Sequence, residues 1–268
     1  MKDDPMKSGT GAIDRTLAIL ALFASEQNSL DTREIIQMTG IPQSTCFRLL
    51  KHLVDAGFLQ KYGKGYGLGD VMLRMAAHRS PPFDALRQAA RPVMNGLSRK
   101  IHHSVGLNVL GRNNTRLCIE LVHDPSQEIR QRIPMFTPLP MYKGASGKIL
   151  WAYLPERVQQ QIFHDHVDEL GEDWNSVSLM LAAIRKQGYC CSRNERLPGA
   201  SAVSVPIMDA QGRLLASLSV SIVTLPLVSE EDVNLSVVLL REASEEISER
   251  FTHLLIVHIY ISVMHPVA

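Results

Sequence analysis

The sequence predicts an α+β chain of two modules joined by a helical connector, on three observations. Residues 31–68 read as helix, tight turn, helix and glycine-tipped hairpin. Residues 71–102 carry helical apolar spacing broken by prolines. From residue 103 onward, alternating strand patterns pair across turn signals, with helices between them. Antiparallel strands with helices on either side indicate an α+β domain built on one sheet. The expected boundaries are 10–70, 71–102 and 103–252, with an apolar segment at 253–268.

Ala12 to Ser25 forms the opening helix, with Ile13, Leu17, Leu20 and Ala21 as its apolar stripe and Ile19 and Leu22 beside it. Thr32 to Met38 is a short helix. Asp31 is placed to cap it, and Glu34 sits where a capping-box partner belongs. Gly40 suits the stop, and Pro42 presets entry into the next helix, Gln43 to Ala56. Cys46, Leu49, Leu50, Leu53 and Val54 recur at helical spacing and form its inward face. Gly57–Tyr62 and Tyr66–Leu68 are short strands around Gly63-Lys64-Gly65. Helix, turn, helix and small hairpin is the winged helix-turn-helix, which lays one helix in a DNA major groove.

The outward face of that helix carries Ser44, Arg48 and Lys51, flanked by Thr45 and Phe47. Small, polar and basic side chains suit groove and phosphate contacts. Lys61, Tyr62 and Lys64 on the hairpin are placed to hold the backbone. A solvated amphipathic helix explains the helix alone. The turn and the basic hairpin together favour DNA. Within residues 41–68 four cations face only Asp55, although the net charge of the whole chain is only +1. Basic character is therefore local, which excludes a general nucleic-acid coat.

Of 268 residues, 45% are apolar, enough for real cores. The four cysteines, Cys46, Cys118, Cys190 and Cys191, show no ligand spacing and fit a reduced, cytoplasmic setting. Met1-Lys2-Asp3-Asp4-Pro5 is polar and reads as no signal peptide. Leu254 to Met264 is apolar and β-branched but too short for a membrane span. An added strand, a dimer contact and a sticky tail are all open there, with the tail placed first.

In the connector, Gly69–Ala77 is a short helix and Ser80-Pro81-Pro82 a break. Phe83–His102 is a long helix with Pro92 as kink or restart and Leu86, Ala90, Val93, Met94 and Leu97 buried. In the second module, strands are expected at Ser104–Leu110, Thr115–Val122, Ala200–Met208 and Leu214–Val223. Shorter ones are expected at Ile129–Ile133 and Gly188–Arg193. Helices are expected at Gly144–Leu154, Pro155–His166, Ser176–Gln187 and Ser229–Thr252.

Specific runs resemble one family along residues 12–250. They are Asp14-Arg15-Thr16-Leu17-Ala18-Ile19-Leu20, Ser44 to Leu53 and Tyr66-Gly67-Leu68-Gly69. Further on come Gly147-Lys148-Ile149-Leu150-Trp151-Ala152, Gly188-Tyr189, Glu195, Gly199 and Val203-Ser204-Val205-Pro206-Ile207. In order and spacing the chain resembles an IclR-family transcriptional regulator. The resemblance implies a C-terminal GAF-like effector-binding domain, dimers or tetramers on operator DNA, and control by a small metabolite, often an organic acid.

For that metabolite, the residues offer the helix start at Leu139 to Lys148. Open amides at Ala145 and Ser146, with the helix dipole, favour a carboxylate. Plain helix–sheet packing explains the same small residues. Ser217, Ser219 and Ser221 alternate on one strand face, either into a pocket or to solvent. The resemblance implies that Ser219 and Ser221 hydrogen-bond the effector and that Leu139 and Ala202 line its pocket. This chain departs from the family pattern. It has Tyr142 where histidine is usual, and it lacks an acid near Ser192 or Arg193. Arg193 is therefore a candidate partner for an acidic effector, or else points to solvent.

Enzymes are disfavoured. Cys190 and Cys191 are adjacent and no motif supplies a base. His164-Asp165-His166 lacks the spacing of a helical metal pair. No phosphate loop, dinucleotide fingerprint or nucleophile elbow is present. No catalytic residue, metal or cofactor is expected. The reading is a metabolite-responsive, DNA-binding homo-oligomer, more often a repressor in similar proteins. An effector-independent DNA-binding or interaction protein with a degenerate sensor domain is the alternative.

Overall fold

The computed structural model describes residues 11–24, 29–77, 81–124, 133–196, 198–223 and 229–264. Of these, the side chains of 81–82, 223 and 255–264 are outside the description. The chain divides at Ser80/Pro81 into two compact units.

The first unit opens with α1 (Ala12–Leu22) and β1 (Leu30–Asp31). Then come α2 (Thr32–Thr39), α3 (Gln43–Asp55), β2 (Leu59–Tyr62), β3 (Gly65–Leu68) and α4 (Asp70–Ala77). The capping box at α2 is complete: the Asp31 carboxylate accepts from the Glu34 N–H at 2.9 Å, and Glu34 Oε2 accepts from the Asp31 N–H at 2.7 Å. Gly40 ends α2 at φ +66°, a left-handed conformation that suits glycine. The chain can then reverse into α3, whose Cys46, Leu49, Leu50 and Leu53 are buried. They pack with Ile19, Phe23, Leu30, Ile35, Ile41 and Leu59 in one core. The wing strands pair Leu59 with Leu68 and Tyr62 with Gly65. Two-residue β1 joins their sheet through β3, an element too short to read from the sequence.

The α1 stripe differs from expectation. Ile19 is buried, whereas Ile13 is 75% and Leu17 51% exposed, and Ala21 is exposed too. Apolar residues occur nearly all round this helix, so period alone did not select the packed side. The helix also ends at Leu22, and Ser25 lies outside the described residues.

The second unit is one antiparallel sheet between two helical layers. Its strands are β4 (Ser104–Leu110), β5 (Thr115–Val122), β6 (Leu139–Pro140), β7 (Cys190–Arg193), β8 (Ala200–Met208) and β9 (Leu214–Val223). Their order is β6-β5-β4-β9-β8-β7. One face is covered by α5 (Pro81–Ile101) and α10 (Glu230–Met264). Leu86, Met94 and Leu97 of α5 and Leu240 and Ile247 of α10 meet Leu107, Val203, Val205, Leu218 and Val220 there. Pro92 lies inside α5, which continues through it. The other face carries α6 (Ala145–Ala152), backed by α7 (Glu156–Asp165), α8 (Val167–Leu170) and α9 (Trp174–Gln187). Trp151, Ile149, Leu150, Phe163, Leu181 and Ile184 fill that layer.

Residues 71–102 are shared between the units: α4 falls in the first and α5 supplies core to the second. The apolar segment after Leu254 does not form a strand. It continues α10 as helix to Met264. Ile129–Ile133 lies outside the described residues except for Ile133, which is not in a strand.

Candidate functional site

On the first unit, Ser44, Phe47, Arg48 and Lys51 of α3 and Lys61, Tyr62 and Lys64 of the wing are exposed, and Thr45 is half-buried. Two aromatics stand in solvent, Phe47 at 48% and Tyr62 at 54% exposure. Arg48, Lys51, Lys61 and Lys64 form no ion pair among the described residues. The structure places all eight expected DNA-contact residues on α3 and on the β2–β3 hairpin of one unit.

On the second unit, alternation builds a polar cavity beneath α6. Leu218, Val220 and Ile222 of β9 enter the α5/α10 core, so Ser217, Ser219 and Ser221 take the opposite face. Ser217 Oγ donates to the Ser146 carbonyl at 3.1 Å, and Ser219 Oγ to the Gly106 carbonyl at 3.2 Å. Asn108 Nδ2 donates to Ser219 Oγ at 3.2 Å, and Arg116 Nη1 donates to Asn108 Oδ1 at 3.0 Å. A relay thus runs from β5 through β4 to β9.

The start of α6 closes the cavity. Gly147 lets the helix lie close to the Met141 backbone, because a Cβ there would run into the Met141 carbonyl oxygen. The Ala145 N–H donates to Ser192 Oγ at 3.0 Å, and the Gly144 N–H donates to Glu195 Oε2 at 2.9 Å. Glu195 Oε1 also takes Lys148 Nζ at 2.7 Å. The Ala145 amide, expected open for an effector carboxylate, is therefore taken by Ser192, and the chain's own Glu195 holds the Gly144 amide before it. Gly144 meets the aliphatic part of Arg196, whose Cδ lies 3.1 Å from where a Cβ would stand.

Asn108, Arg116, Ile133, Gly144 to Ser146, Ser192, Glu195, Arg196, Ala200 to Ala202, Ser219 and Ser221 line the cavity. Five expected residues are thereby brought together: Ala145, Ser146, Ala202, Ser219 and Ser221. Leu139 is not among the lining residues; it pairs with Arg116 on β6. Arg193 is not either. Its neighbours Cys190 and Ser192 face α6, so alternation turns Arg193 to the α10 side, where Nη2 meets Glu230 Oε1 at 2.6 Å.

The sequence reading missed Asn108, Arg116 and Arg196. Arg116 is only 2% exposed, and its Nε finds no acceptor among the described residues. Burial, then the nearby charge of Arg196, pull the Arg116 guanidinium down to about 10. Burial also lowers Arg196. A signal was available: Arg116 stands directly before Leu117, Cys118 and Ile119 within an expected strand of a sheet flanked by helices.

The cysteines suit no nucleophile. All four are free, and burial pushes Cys190 up to about 12 and Cys118 up to about 11. Among the described residues no group of three or more His, Cys, Asp and Glu could hold a metal ion.

The model of the bacterial transcriptional regulator IclR C-terminal domain matches residues 84–249, more than half of the chain. The chain belongs to the IclR family. The IclR helix-turn-helix domain matches residues 12–63, so the protein is a DNA-binding transcription regulator. It is 25% identical over 222 residues to HTH-type transcriptional regulator KipR of Bacillus subtilis, covering 81% of this chain and 87% of that one. It is also 25% identical to the acetate operon repressor of Salmonella typhimurium, over 81% of each chain. Its fold matches an IclR homologue from Microbacterium hydrocarbonoxydans complexed with 4-hydroxybenzoate. That match has a TM-score of 0.73 at 22% identity and covers 91% of this chain and 100% of that one. IclR structures carry the same pair of folds, and the curled sheet is consistent with a GAF-like domain. Among the described residues no helix is long and apolar enough to cross a membrane.

Proposed function

We propose that this IclR-family regulator is a repressor released or retained on its operator by a small organic acid. The acid binds the cavity under α6. The observation that carries this reading is the cavity itself, a polar chamber inside a covered sheet with a buried, incompletely paired arginine. Pure packing has no use for such a group. The 4-hydroxybenzoate in the Microbacterium homologue supports an acid as the effector class.

Ser44, Thr45, Phe47, Arg48 and Lys51 read the major groove, while Lys61, Tyr62 and Lys64 grip the backbone. Their exposure and lack of internal ion pairs support these roles. Ala145, Ser146, Ala202, Ser219 and Ser221 contact the acid. The protein works as a homodimer or homotetramer in the cytoplasm, on a near-palindrome with half-sites about one helical turn, or a multiple, apart. Exposed Ile13 and Leu17, one turn apart on α1, support self-association. The acid regulates only by preferring one arrangement of the oligomer over another.

Footprinting on the DNA flanking its own gene, with and without a panel of organic acids, tests the proposal. A protected near-palindrome whose occupancy one acid changes is expected. Protection that no acid alters would leave a constitutive DNA-binding protein and remove the sensor.

A further inference from the structure

The charges around the cavity do not balance. Arg116 is buried there with Nε unpaired, and its only hydrogen-bond partner among the described residues is the neutral Asn108. Arg196 is half-buried at the same cavity and has no ion-pair partner among the described residues. Glu195 is the one carboxylate in the lining, and it is committed to the Gly144 N–H and to Lys148. Two cations in a poorly solvated space, each without a counter-charge, raise the cost of the ligand-free state. A ligand that neutralises both recovers that cost.

We infer that the effector is a small dicarboxylate, with one carboxylate on Arg116 and the other on Arg196. The inference rests on the effector-cavity reading above and adds the charge and shape of the ligand. The Arg116 fork offers Nε to the first carboxylate while Nη1 stays on Asn108. Arg196 takes the second beside Gly144. Glu195 stays on α6 and occupies the helix-start position, which turns the incoming acid towards the arginines. The free volume of the cavity is only ≈ 20 Å³, little more than a water needs. Entry of the acid therefore displaces the Arg196 side chain, which then closes over it.

Calorimetry on the full chain reads this inference. The probes are succinate, malate and glutarate, against acetate, benzoate and inorganic phosphate at one ionic strength. At least one dicarboxylate is expected to bind about tenfold or more tightly than every monocarboxylate and than phosphate. Arg116→Met and Arg196→Gln are each expected to weaken that dicarboxylate by about tenfold or more. Thermal melts check that both variants fold. If Arg116→Met does not, Arg196→Gln carries the test, since its side chain is half-buried on a loop.

Unchanged dicarboxylate affinity in a folded Arg116→Met or Arg196→Gln protein overturns the inference. A monocarboxylate or phosphate preferred by the parent overturns it too. A monocarboxylate that binds and alters operator occupancy leaves the effector reading standing while the two-charge inference falls. No binding by any acid, with an operator indifferent to all of them, sinks both.

Discussion

Arginine serves the two units of this protein in opposite settings. Arg48 on α3 stands exposed, with no ion pair among the described residues. Arg116 on β5 is buried at 2% exposure with one donor idle, and the fold bears its desolvation. A solvated cation waits for a long-range partner such as DNA, whose phosphates draw it in from a distance. A buried cation waits for a partner that fits one cavity. On the proposed function, the same side chain supplies affinity in one unit and selectivity in the other.

The sharpest break in that comparison is Arg48→Ala/Lys51→Ala. Operator affinity should fall by about 2–6 kcal/mol, at about 1–3 for each side chain. The salt dependence should flatten by about 1 for each phosphate that the truncated side chains no longer neutralise. Thermal stability should not move, because both groups are exposed. Fluorescence anisotropy across a salt series, with a parallel melt, separates the two effects.

Gly147→Val attacks the other unit. Its Cβ runs into the Met141 carbonyl, so α6 and the segment that leads into it must move apart. A loss of about 3 kcal/mol is expected in urea unfolding, with little loss of stability in the first unit. Equal loss in both would show that they unfold as one.

Asp31→Ala removes the capping box of α2 and should cost the first unit about 1 kcal/mol. Acid binding in the cavity should be untouched, by calorimetry on the same variant.

The smallest effect is on pH dependence. Burial, followed by the charge of His102, lowers the His103 pKa from 6.5, while Asp232 and Asp124 oppose the shift. The unfolded chain then binds this proton more readily than the folded one. The contribution of His103 is present above 6.5 and is lost as pH falls through 6.5 towards its folded value. Urea midpoints at about pH 7.5 and about pH 5.5 should differ less in His103→Gln than in the parent.

What the sequence made legible follows the same division. Local chemistry was readable: the α2 capping box, the Gly40 stop and the four buried positions of α3 each depend on neighbours within a turn or two. The serine row of β9 was readable as a shared face, since strand period needs no tertiary information. Its partners were not. Arg116 meets Asn108 through strand pairing, and Asn108 reaches Ser219 across 111 positions of chain. Arg193 was the expected cation, yet one step of alternation sends it to Glu230 instead. The α1 stripe failed for a related reason: with apolar residues on several sides, tertiary packing rather than period decided that Ile19 goes inside.

One crossed measurement tests the division most directly. Operator affinity without ligand and dicarboxylate affinity without DNA are measured for the parent, Arg48→Ala/Lys51→Ala and Arg116→Met. The first variant is expected to lose DNA and keep the acid, and the second to keep DNA and lose the acid. An Arg116→Met protein that is folded but cannot bind operator, or an α3 variant that no longer binds the acid, would contradict that division.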